Sequence, residues 1–375
     1  MTRTISIVAA AFSLTAVSYG LTRFSYGLLL PSIRADLNLN ATAAGWIGGV
    51  AFALYCIGVI LAFALVDRFG ERRISMSAGL FAVGAMATAA ASSSGWHIGL
   101  AMAIGGLSTG LTSPPLAAAV ARVLHQSAQV RANGIINAGT AVGIVISGAA
   151  AIAFAENWRE LYVGFASLGV LTTFWLWWAM PPQENEKATV TFSWRDIRAT
   201  GAIGLTASAF LAGFASTAVW TFGANIMTDE FGFSSYQVAL GWIILGSVGI
   251  GGSMTGLLSQ HFGLRVVHRL SIGMMSLAIL MFAAAKFHAS LVFIALGLFG
   301  VAYIITTGAL LLWGIVIYSR HPALGLGVPF LVVAVGQTAG APFFGMMWEN
   351  YGVVSALMVF AAIMASGARF SVTKR

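Results

Sequence analysis

Arg23 is the one ionisable side chain in this sequence that neither a loop nor the end of an apolar segment accounts for. Tyr19, Arg23 and Tyr26 stand at positions i, i+4 and i+7, so an α-helix would carry all three on one face. A guanidinium flanked by two phenols can hold a carboxylate or a similar oxyanion through two charge-assisted hydrogen bonds. The spacing therefore indicates an anion-binding site.

The surrounding chain has the composition of an integral membrane protein. Hydrophobic residues make up 59% and charged residues 8%, with a mean hydropathy of +0.89, whereas soluble domains carry about 25% charged residues. Apolar runs of roughly 18 or more residues recur along the chain, and each is long enough to cross a bilayer as a helix. We predict twelve transmembrane helices, near residues 5–31, 43–66, 74–94, 98–121, 133–155, 161–180, 200–223, 237–260, 267–285, 289–317, 323–347 and 352–368.

A membrane setting makes the depth of Arg23 decisive. An arginine inside a bilayer costs about 3 kcal/mol on insertion scales and about 10 or more in simulations, so it indicates a functional site. Arg23 also lies only about 7 Å outward of the midpoint of its segment, counted at 1.5 Å per residue. Its side chain could therefore snorkel to the outer headgroups instead, and both readings stay open.

The net charge of +8 follows from topology and does not require a nucleic-acid partner. If the N-terminus is cytoplasmic, fifteen of the 19 Lys and Arg residues fall on that side, and only Arg34, Arg159 and Lys286 fall on the other. This positive-inside bias predicts a multi-pass protein of the bacterial inner membrane with both termini in the cytoplasm. The expected partners are the lipid bilayer and a small-molecule substrate, and we expect a monomer.

The turn after the second apolar segment carries the charged run Asp67–Arg73, with the sequence DRFGERR. It resembles the Asp-Arg-x-Gly-Arg-Arg/Lys signature of the major facilitator superfamily, although Glu71 stands where that family usually has a base. The resemblance implies an all-α membrane fold of twelve helices in two pseudo-symmetric six-helix bundles. It also implies a gating role, latching the outward-open state, for Asp67, Arg68, Gly70, Arg72 and Arg73.

The residues themselves support this reading of the turn. Gly70 permits a tight turn, and Asp67 can cap the following helix or pair with an arginine. A solvated basic loop that only sets topology is the alternative.

A degenerate second copy of this region appears 193 residues further on, where Phe262-Gly263 overlies Phe69-Gly70 and Arg265 overlies Arg72. A shift of about half the length is what two six-helix halves would produce. We predict one bundle over residues 1–182, a cytoplasmic linker over 183–199 and a second bundle over 200–375. Aromatic residues and arginines in the linker indicate a segment that lies on the membrane surface.

The run from Tyr19 to Gly45 also resembles a poorly characterised bacterial branch of the superfamily that is related to cyanate and organic-acid permeases. This resemblance implies an anionic substrate. Drug–proton antiporters of the superfamily carry a Gly-Pro pair in the fifth helix, but no proline lies between Arg131 and Pro181 here. That departure disfavours an antiporter.

Polar and aromatic residues of other segments are candidates to line the substrate site beside Arg23. Two prolines follow Thr112 and should free backbone carbonyls there, while a packing kink is the alternative. The buried amide of Gln337 needs partners and would serve either the site or interhelical hydrogen bonding. The full set of candidates is Arg23, Tyr19, Tyr26, Asn137, Thr112, Trp220, Tyr303 and Gln337.

All eleven acidic residues and all six histidines can be placed in loops or at helix ends, so the membrane interior has a fixed positive charge and no evident proton carrier. We predict a secondary transporter, of symporter type, that moves a small organic anion by alternating access. Proton coupling would run through the substrate, Asp67 or Glu160, or would be absent. Efflux of neutral or aromatic compounds and a non-transporting receptor are the alternatives. We expect no enzymatic activity, metal or cofactor.

Overall fold

The computed structural model describes residues 2–154, 157–180, 201–285, 287–319 and 322–370 of the chain. Across these residues the secondary structure is helical, in twelve consecutive rods that match the predicted order. The predicted linker over 183–199 and its membrane-surface segment lie outside the described residues.

The twelve rods are labelled in chain order, and four of them are composite. The rods are α1 (Thr2–Thr15, a π-helix Ala16–Phe24, and Ser25–Leu37), α2 (Ala41–Phe69), α3 (Glu71–Ala90), α4 (Gly95–Val123), α5 (Gln126–Ala153), α6 (Trp158–Ala179), α7 (Ala202–Trp220 and Gly223–Asp229), α8 (Ser235–Gly249, a 3₁₀ turn Ile250–Met254, and Thr255–Phe262), α9 (Leu264–Ala284), α10 (Leu291–Ile317), α11 (Pro322–Tyr351) and α12 (Val353–Ser366, with a 3₁₀ turn Gly367–Arg369).

Ten helices within the described residues are long and apolar enough to cross a membrane, and Val353–Arg369 is a shorter apolar helix. The helix α4 has 29 residues. It runs without interruption through Pro114 and Pro115. The predicted all-α membrane fold is confirmed.

Two glycines explain why α2 and α8 end where they do. Gly70 has φ 84° and ψ 154°, and Gly263 has φ 84° and ψ 141°. A positive φ is strained for residues with a Cβ and routine for glycine. The equivalent positions of the 193-residue repeat therefore share one turn conformation. Gly70 is itself the N-cap of α3, which has no side-chain cap, so the expected capping by Asp67 is absent.

The chain divides into two compact units, and each is described separately. Unit 1 comprises Met1–Leu39 and Val50–Thr189, and unit 2 comprises Asn40–Gly49 and Val190–Arg375. The division differs from the predicted domains in one respect, because the first turns of α2 group with the second half. The predicted linker boundary stays a prediction, since it falls among residues that the structure does not describe.

In unit 1, close helix packing depends on glycines of α5. A Cβ on Gly139 would overlap the carbonyl oxygen of Phe12, and one on Gly143 would overlap that of Ala16. Small residues at i, i+4 spacing let two helix backbones touch, which is how membrane helices associate without a hydrophobic driving force. The first helix is therefore held against α5 along its π-helical segment.

Unit 2 repeats this arrangement between α7 and α11. Cβ atoms on Gly336 and Gly340 would overlap the carbonyl oxygens of Phe210 and Phe214. The spacing of four residues is the same as that of the α5 pair. The helix pairs α1/α5 and α7/α11 are thus built alike within their own units, as a duplicated six-helix half requires.

The outer turns of α2 pack on α11 inside unit 2. Backbone meets backbone here as well, because a Cβ on Gly45 would lie 2.9 Å from Cα of Pro342. Thr42 donates to the Glu349 carboxylate from its backbone N–H at 3.2 Å and from its hydroxyl at 2.5 Å. The carboxylate of Glu349 therefore satisfies one of the exposed N–H groups at the start of α2.

Candidate functional site

The π-helix Ala16–Phe24 places Arg23 in the middle of α1. Its i→i+5 pattern is seen where the Ser25 N–H donates to the Gly20 carbonyl, and the Thr22 hydroxyl donates to the Val17 carbonyl at 2.9 Å. Long π-helical stretches are rare, and π-bulges are frequent at functional sites. The segment is seated on α5 because neither Gly20 nor Gly143 has a side chain at their contact.

The guanidinium of Arg23 lies against aromatic rings of α2. Its Cζ is 4.5 Å from the ring centroid of Phe52 and 4.4 Å from that of Tyr55, and 5.3 Å from that of Phe24. Cation–π contacts of this kind offset part of the cost of desolvating the charge. The Arg23 side chain is itself half-buried, whereas Phe52 and Tyr55 are buried.

The position of these rings gives the depth of the charge within unit 1. Tyr55 is midway between Ala41 and Phe69, the two ends of α2. At 1.5 Å per residue this is about 21 Å from either end of the helix. The guanidinium is thus beside the centre of α2, at a level distant from both helix ends.

Tyr19 lies next to the same aromatic group. Its ring meets that of Tyr55 edge to face at 6.4 Å, and its hydroxyl forms a 2.8 Å hydrogen bond with the hydroxyl of Ser113 on α4. Helices α1, α2 and α4 therefore each contribute a side chain to the group around Arg23. We call Arg23, Tyr19, Phe52, Tyr55 and Ser113 the arginine cluster.

Tyr26 is placed elsewhere by the π-helix. A π-helical turn takes roughly 4.4 residues instead of 3.6, so residues beyond it rotate away from the face that α-helical spacing would give them. Tyr26 is buried, and its phenol interacts electrostatically with Tyr162 of α6 and with Arg34. The i, i+4, i+7 face expected from the sequence is therefore limited to Tyr19 and Arg23.

Two further candidates of unit 1 occupy other surroundings. Thr112 is fully buried, and its hydroxyl donates to the Ser108 carbonyl of its own helix at 2.9 Å. Asn137 is exposed and lies two residues before Gly139. Two residues correspond to about 200° of rotation around α5, away from the face that packs on α1. The structure does not place either side chain in the arginine cluster.

The three candidates of the second half are brought together in unit 2. The Gln337 amide nitrogen donates to the Ser216 hydroxyl at 3.3 Å and to the Tyr303 hydroxyl at 3.4 Å. The ring of Trp220 meets those of Phe299 and Tyr303 edge to face at 5.6 and 5.1 Å. Gln337 is buried at 1% exposure. We call Trp220, Tyr303, Gln337, Ser216 and Phe299 the glutamine cluster.

The predicted gating residues divide into exposed and packed side chains. Asp67, Arg68 and Arg73 are exposed. The guanidinium of Arg72 lies over the Trp177 ring of α6 at 4.4 Å. Gly70 forms the turn between α2 and α3. The gating role of these residues stays a prediction.

Glu71, the residue that departs from the family signature, is nearly buried. Its carboxylate is 3.3 Å from Nε of Arg122, at the end of α4. The acid that stands here in place of the family's base therefore forms an ion pair inside unit 1. This ion pair links the start of α3 to the end of α4.

His268 lies one turn into α9, at a helix end as expected, but its imidazole is fully buried in unit 2. Its Nε2 is 2.8 Å from the Ser208 hydroxyl of α7. The ring also meets Trp313 of α10 edge to face at 5.4 Å. A residue one turn from a helix end can therefore be fully packed when its side chain faces neighbouring helices.

Sequence reasoning missed Phe52 and Tyr55 as neighbours of Arg23, and Ser113 as the hydrogen-bond partner of Tyr19. One signal was present. Arg23 and Tyr55 are each sixteen residues from Leu39, the centre of the loop between α1 and α2. Residues equidistant from the turn of an antiparallel helical hairpin lie at the same depth, so Tyr55 was the natural neighbour to examine.

The rods and clusters define a polytopic helical membrane protein with a central charged residue. The family model described as Major Facilitator Superfamily matches residues 12–328, and the chain belongs to this superfamily of membrane transporters, which are not enzymes. Among curated proteins, a putative uncharacterized transporter of Escherichia coli K12, YgaY, is 32% identical over 168 residues. That match covers 42% of this chain and 40% of YgaY, so the chain spans less than half the length of the curated relatives it matches.

Solved structures agree on the fold. A mutant of the nucleoside transporter NupG matches with a TM-score of 0.80 at 13% identity, covering 97% of this chain and 98% of that one. A D-xylose–proton symporter matches at 0.78 and 15% identity, covering 98% and 96%. The human organic anion transporter MFSD10 matches at 0.71 and 16% identity, covering 98% and 99%. At such identities the likeness shows the fold alone.

Proposed function

We propose that this protein is a secondary transporter that carries a small organic anion across the bacterial inner membrane by alternating access. The observation that carries the proposal is the placement of Arg23, whose guanidinium lies against Phe52 and Tyr55 beside the centre of α2. A charge held about 21 Å from either end of a membrane helix has no structural need that an apolar residue would not meet at lower cost. This depth supports a binding role over snorkelling.

The chemistry of the arginine cluster favours an oxyanion. The rings of Phe52 and Tyr55 attract the guanidinium of Arg23 through cation–π contacts. Such contacts are compatible with hydrogen bonds made in the plane of the guanidinium, which match the geometry of a carboxylate. The hydroxyls of Tyr19 and Ser113 are bonded to each other, next to Tyr55, and can serve a second polar group of the substrate. A cation would be repelled from this cluster.

Several finer features belong to the same proposal. The positive-inside bias supports cytoplasmic termini. Asp67 and Glu160 remain the candidate carboxylates for proton coupling, and the substrate itself can carry the proton. We expect a monomer, because each six-helix half already has its own buried core. The gating role of Asp67–Arg73 also stays within this proposal.

The glutamine cluster favours a second candidate function, which is efflux of neutral aromatic compounds. Trp220, Phe299 and Tyr303 supply aromatic surface, and Gln337 supplies one amide. Aromatic rings with a single convergent polar group are typical of pockets for uncharged planar ligands. The similar structures include a nucleoside transporter, a xylose symporter and an organic anion transporter, so the fold does not choose between these classes.

Uptake by purified protein in proteoliposomes tests the choice. The substrates are a panel of labelled monocarboxylates, dicarboxylates and neutral aromatic compounds. We expect Arg23→Gln to lower the apparent affinity for the transported anion by at least about 30-fold, because a paired charge loses its partner. Arg23→Lys, which keeps the charge and loses the fork, should retain part of the activity.

Arg131→Gln is the matched control, since Arg131 is an exposed arginine of α5 in the same unit. Normal anion uptake by Arg23→Gln would end the anion-site proposal. Uptake of a neutral aromatic compound that is indifferent to Arg23 would instead establish the second function.

A further inference from the structure

A second arginine–aromatic contact lies at the start of α3, far along the chain from Arg23. The Cζ of Arg72 lies 4.4 Å from the centroid of the Trp177 ring near the end of α6. The two helices approach closely here, because a Cβ on Gly79 would lie 3.0 Å from a Thr173 methyl group one turn away from Trp177. The guanidinium is therefore stacked on a side chain whose own helix is firmly packed.

The charge of Arg72 is not neutralised inside the described part of unit 1. The adjacent acid, Glu71, already pairs with Arg122 at 3.3 Å. Within the described residues the Arg72 side chain makes no hydrogen bond or ion pair, and its Nε is buried without a partner. Arg73, the next residue, is exposed. The half-buried Arg72 and the exposed Arg73 thus place two adjacent positive charges at this point of the surface.

The surface next to this pair is apolar and aromatic. Trp177 is 50% exposed, Phe174 is 65% exposed and Trp178 is 74% exposed. Tryptophans cluster at the level of the headgroups in membrane proteins, where an apolar ring meets a polar boundary. An unpaired guanidinium that borders such a surface is complementary to a ligand with an anionic head and an apolar body.

We propose that Arg72, Arg73 and Trp177 form a binding site for the headgroup phosphate of an anionic phospholipid. The donors of Arg72 take the phosphate oxygens, the Trp177 ring holds the guanidinium in place, and the acyl chains lie along Phe174 and Trp178. A zwitterionic lipid brings a cation to the same site, so phosphatidylglycerol should bind in preference to phosphatidylcholine. Each basic residue near an anionic membrane surface contributes about fivefold in affinity.

Native mass spectrometry of the purified full chain in detergent, titrated with phosphatidylglycerol or phosphatidylcholine, tests the site. Wild type should retain phosphatidylglycerol preferentially. Arg72→Gln should weaken its retention by about five- to tenfold, since both a charge and a cation–π contact are lost. Retention of phosphatidylglycerol by Arg72→Lys should be intermediate between that of wild type and that of Arg72→Gln. The measurement needs no transport substrate, so it stands apart from the proposed function.

Arg131→Gln removes an exposed charge from the same unit without touching the aromatic surface, and it should retain phosphatidylglycerol as wild type does. Equal losses in Arg72→Gln and Arg131→Gln would overturn the proposal, because they would indicate unspecific attraction. So would a wild type that does not distinguish the two lipids. If Arg72→Gln fails to fold, Trp177→Leu decides, with about twofold or greater weakening expected and no change contradicting the site.

Discussion

Replacing Gly143 by alanine should disturb the segment that carries Arg23. A Cβ at this position would overlap the Ala16 carbonyl oxygen and would lie 2.9 Å from Cα of Gly20. Carbon atoms are in best contact at about 3.5–4.0 Å. Backbone atoms of a packed helix cannot rotate away as a side chain can, so α1 and α5 must separate by roughly half an ångström or more.

The expected magnitude follows from two opposing terms. Overpacking of a well-packed core costs about 1–3 kcal/mol, while the change from glycine to alanine in a helix gains up to about 1 kcal/mol. Gly134→Ala isolates the second term, because Gly134 is on the same helix and a Cβ there meets nothing within 4 Å. The difference between the two variants should therefore be the overpacking term alone.

The assay is thermal unfolding of the purified variants in one detergent, followed by anion uptake in proteoliposomes. At about 2 °C per kcal/mol, Gly143→Ala should melt roughly 2–6 °C below Gly134→Ala. Its apparent affinity for the anion should also fall, because Arg23 lies three residues beyond Gly20, whereas Gly134→Ala should transport normally. Equal melting temperatures and equal affinities would refute the close packing on which the placement of Arg23 depends.

Two further predictions concern other parts of the chain. Gln337→Leu should lower stability by about 1–2 kcal/mol, because the buried Ser216 hydroxyl and the half-buried Tyr303 hydroxyl both lose a hydrogen-bond donor; unchanged thermal unfolding would show that these hydrogen bonds contribute nothing. Gly70→Ala should destabilise by about 1–2 kcal/mol, since its φ of 84° is strained for any residue with a Cβ. Gly273→Ala, at an open helical position, should be neutral or stabilising, and a melting temperature for Gly70→Ala equal to that of Gly273→Ala would contradict the strain argument.

The helical segments could be predicted because a bilayer demands long apolar segments whatever their partners are, and ten helices of the described residues meet that demand. The turn at Gly70 and its repeat at Gly263 were also readable, since glycine is the residue that such a turn requires. Both depend on local chemistry, which a single sequence records directly.

The surroundings of Arg23 were harder to predict from the sequence. A face drawn with 3.6 residues per turn included Tyr26, but the contact with α5 fixes a π-helix that no periodicity in the sequence shows. The burial of His268 could not be predicted for a related reason, because it depends on packing between helices. The contacts among Trp220, Tyr303 and Gln337 join α7 to the consecutive helices α10 and α11, which are distant from it in sequence. The sequence marked these three residues only as polar or aromatic side chains within apolar segments.

The π-helical segment has a consequence for how this chain can change over evolutionary time. A turn closed by i→i+5 bonds holds one residue more than a turn closed by i→i+4 bonds. Deleting a single residue between Ala16 and Phe24 would therefore let α1 become an ordinary α-helix, without breaking the chain before or after it. The nine π-helical residues at about 4.4 per turn and eight α-helical residues at 3.6 per turn differ in rotation by roughly 60°, so Ser25–Leu37 would turn by that angle relative to Thr2–Thr15. Related chains of different length at this point would offer different side chains to the same position, so specificity could be changed by insertion or deletion as well as by substitution.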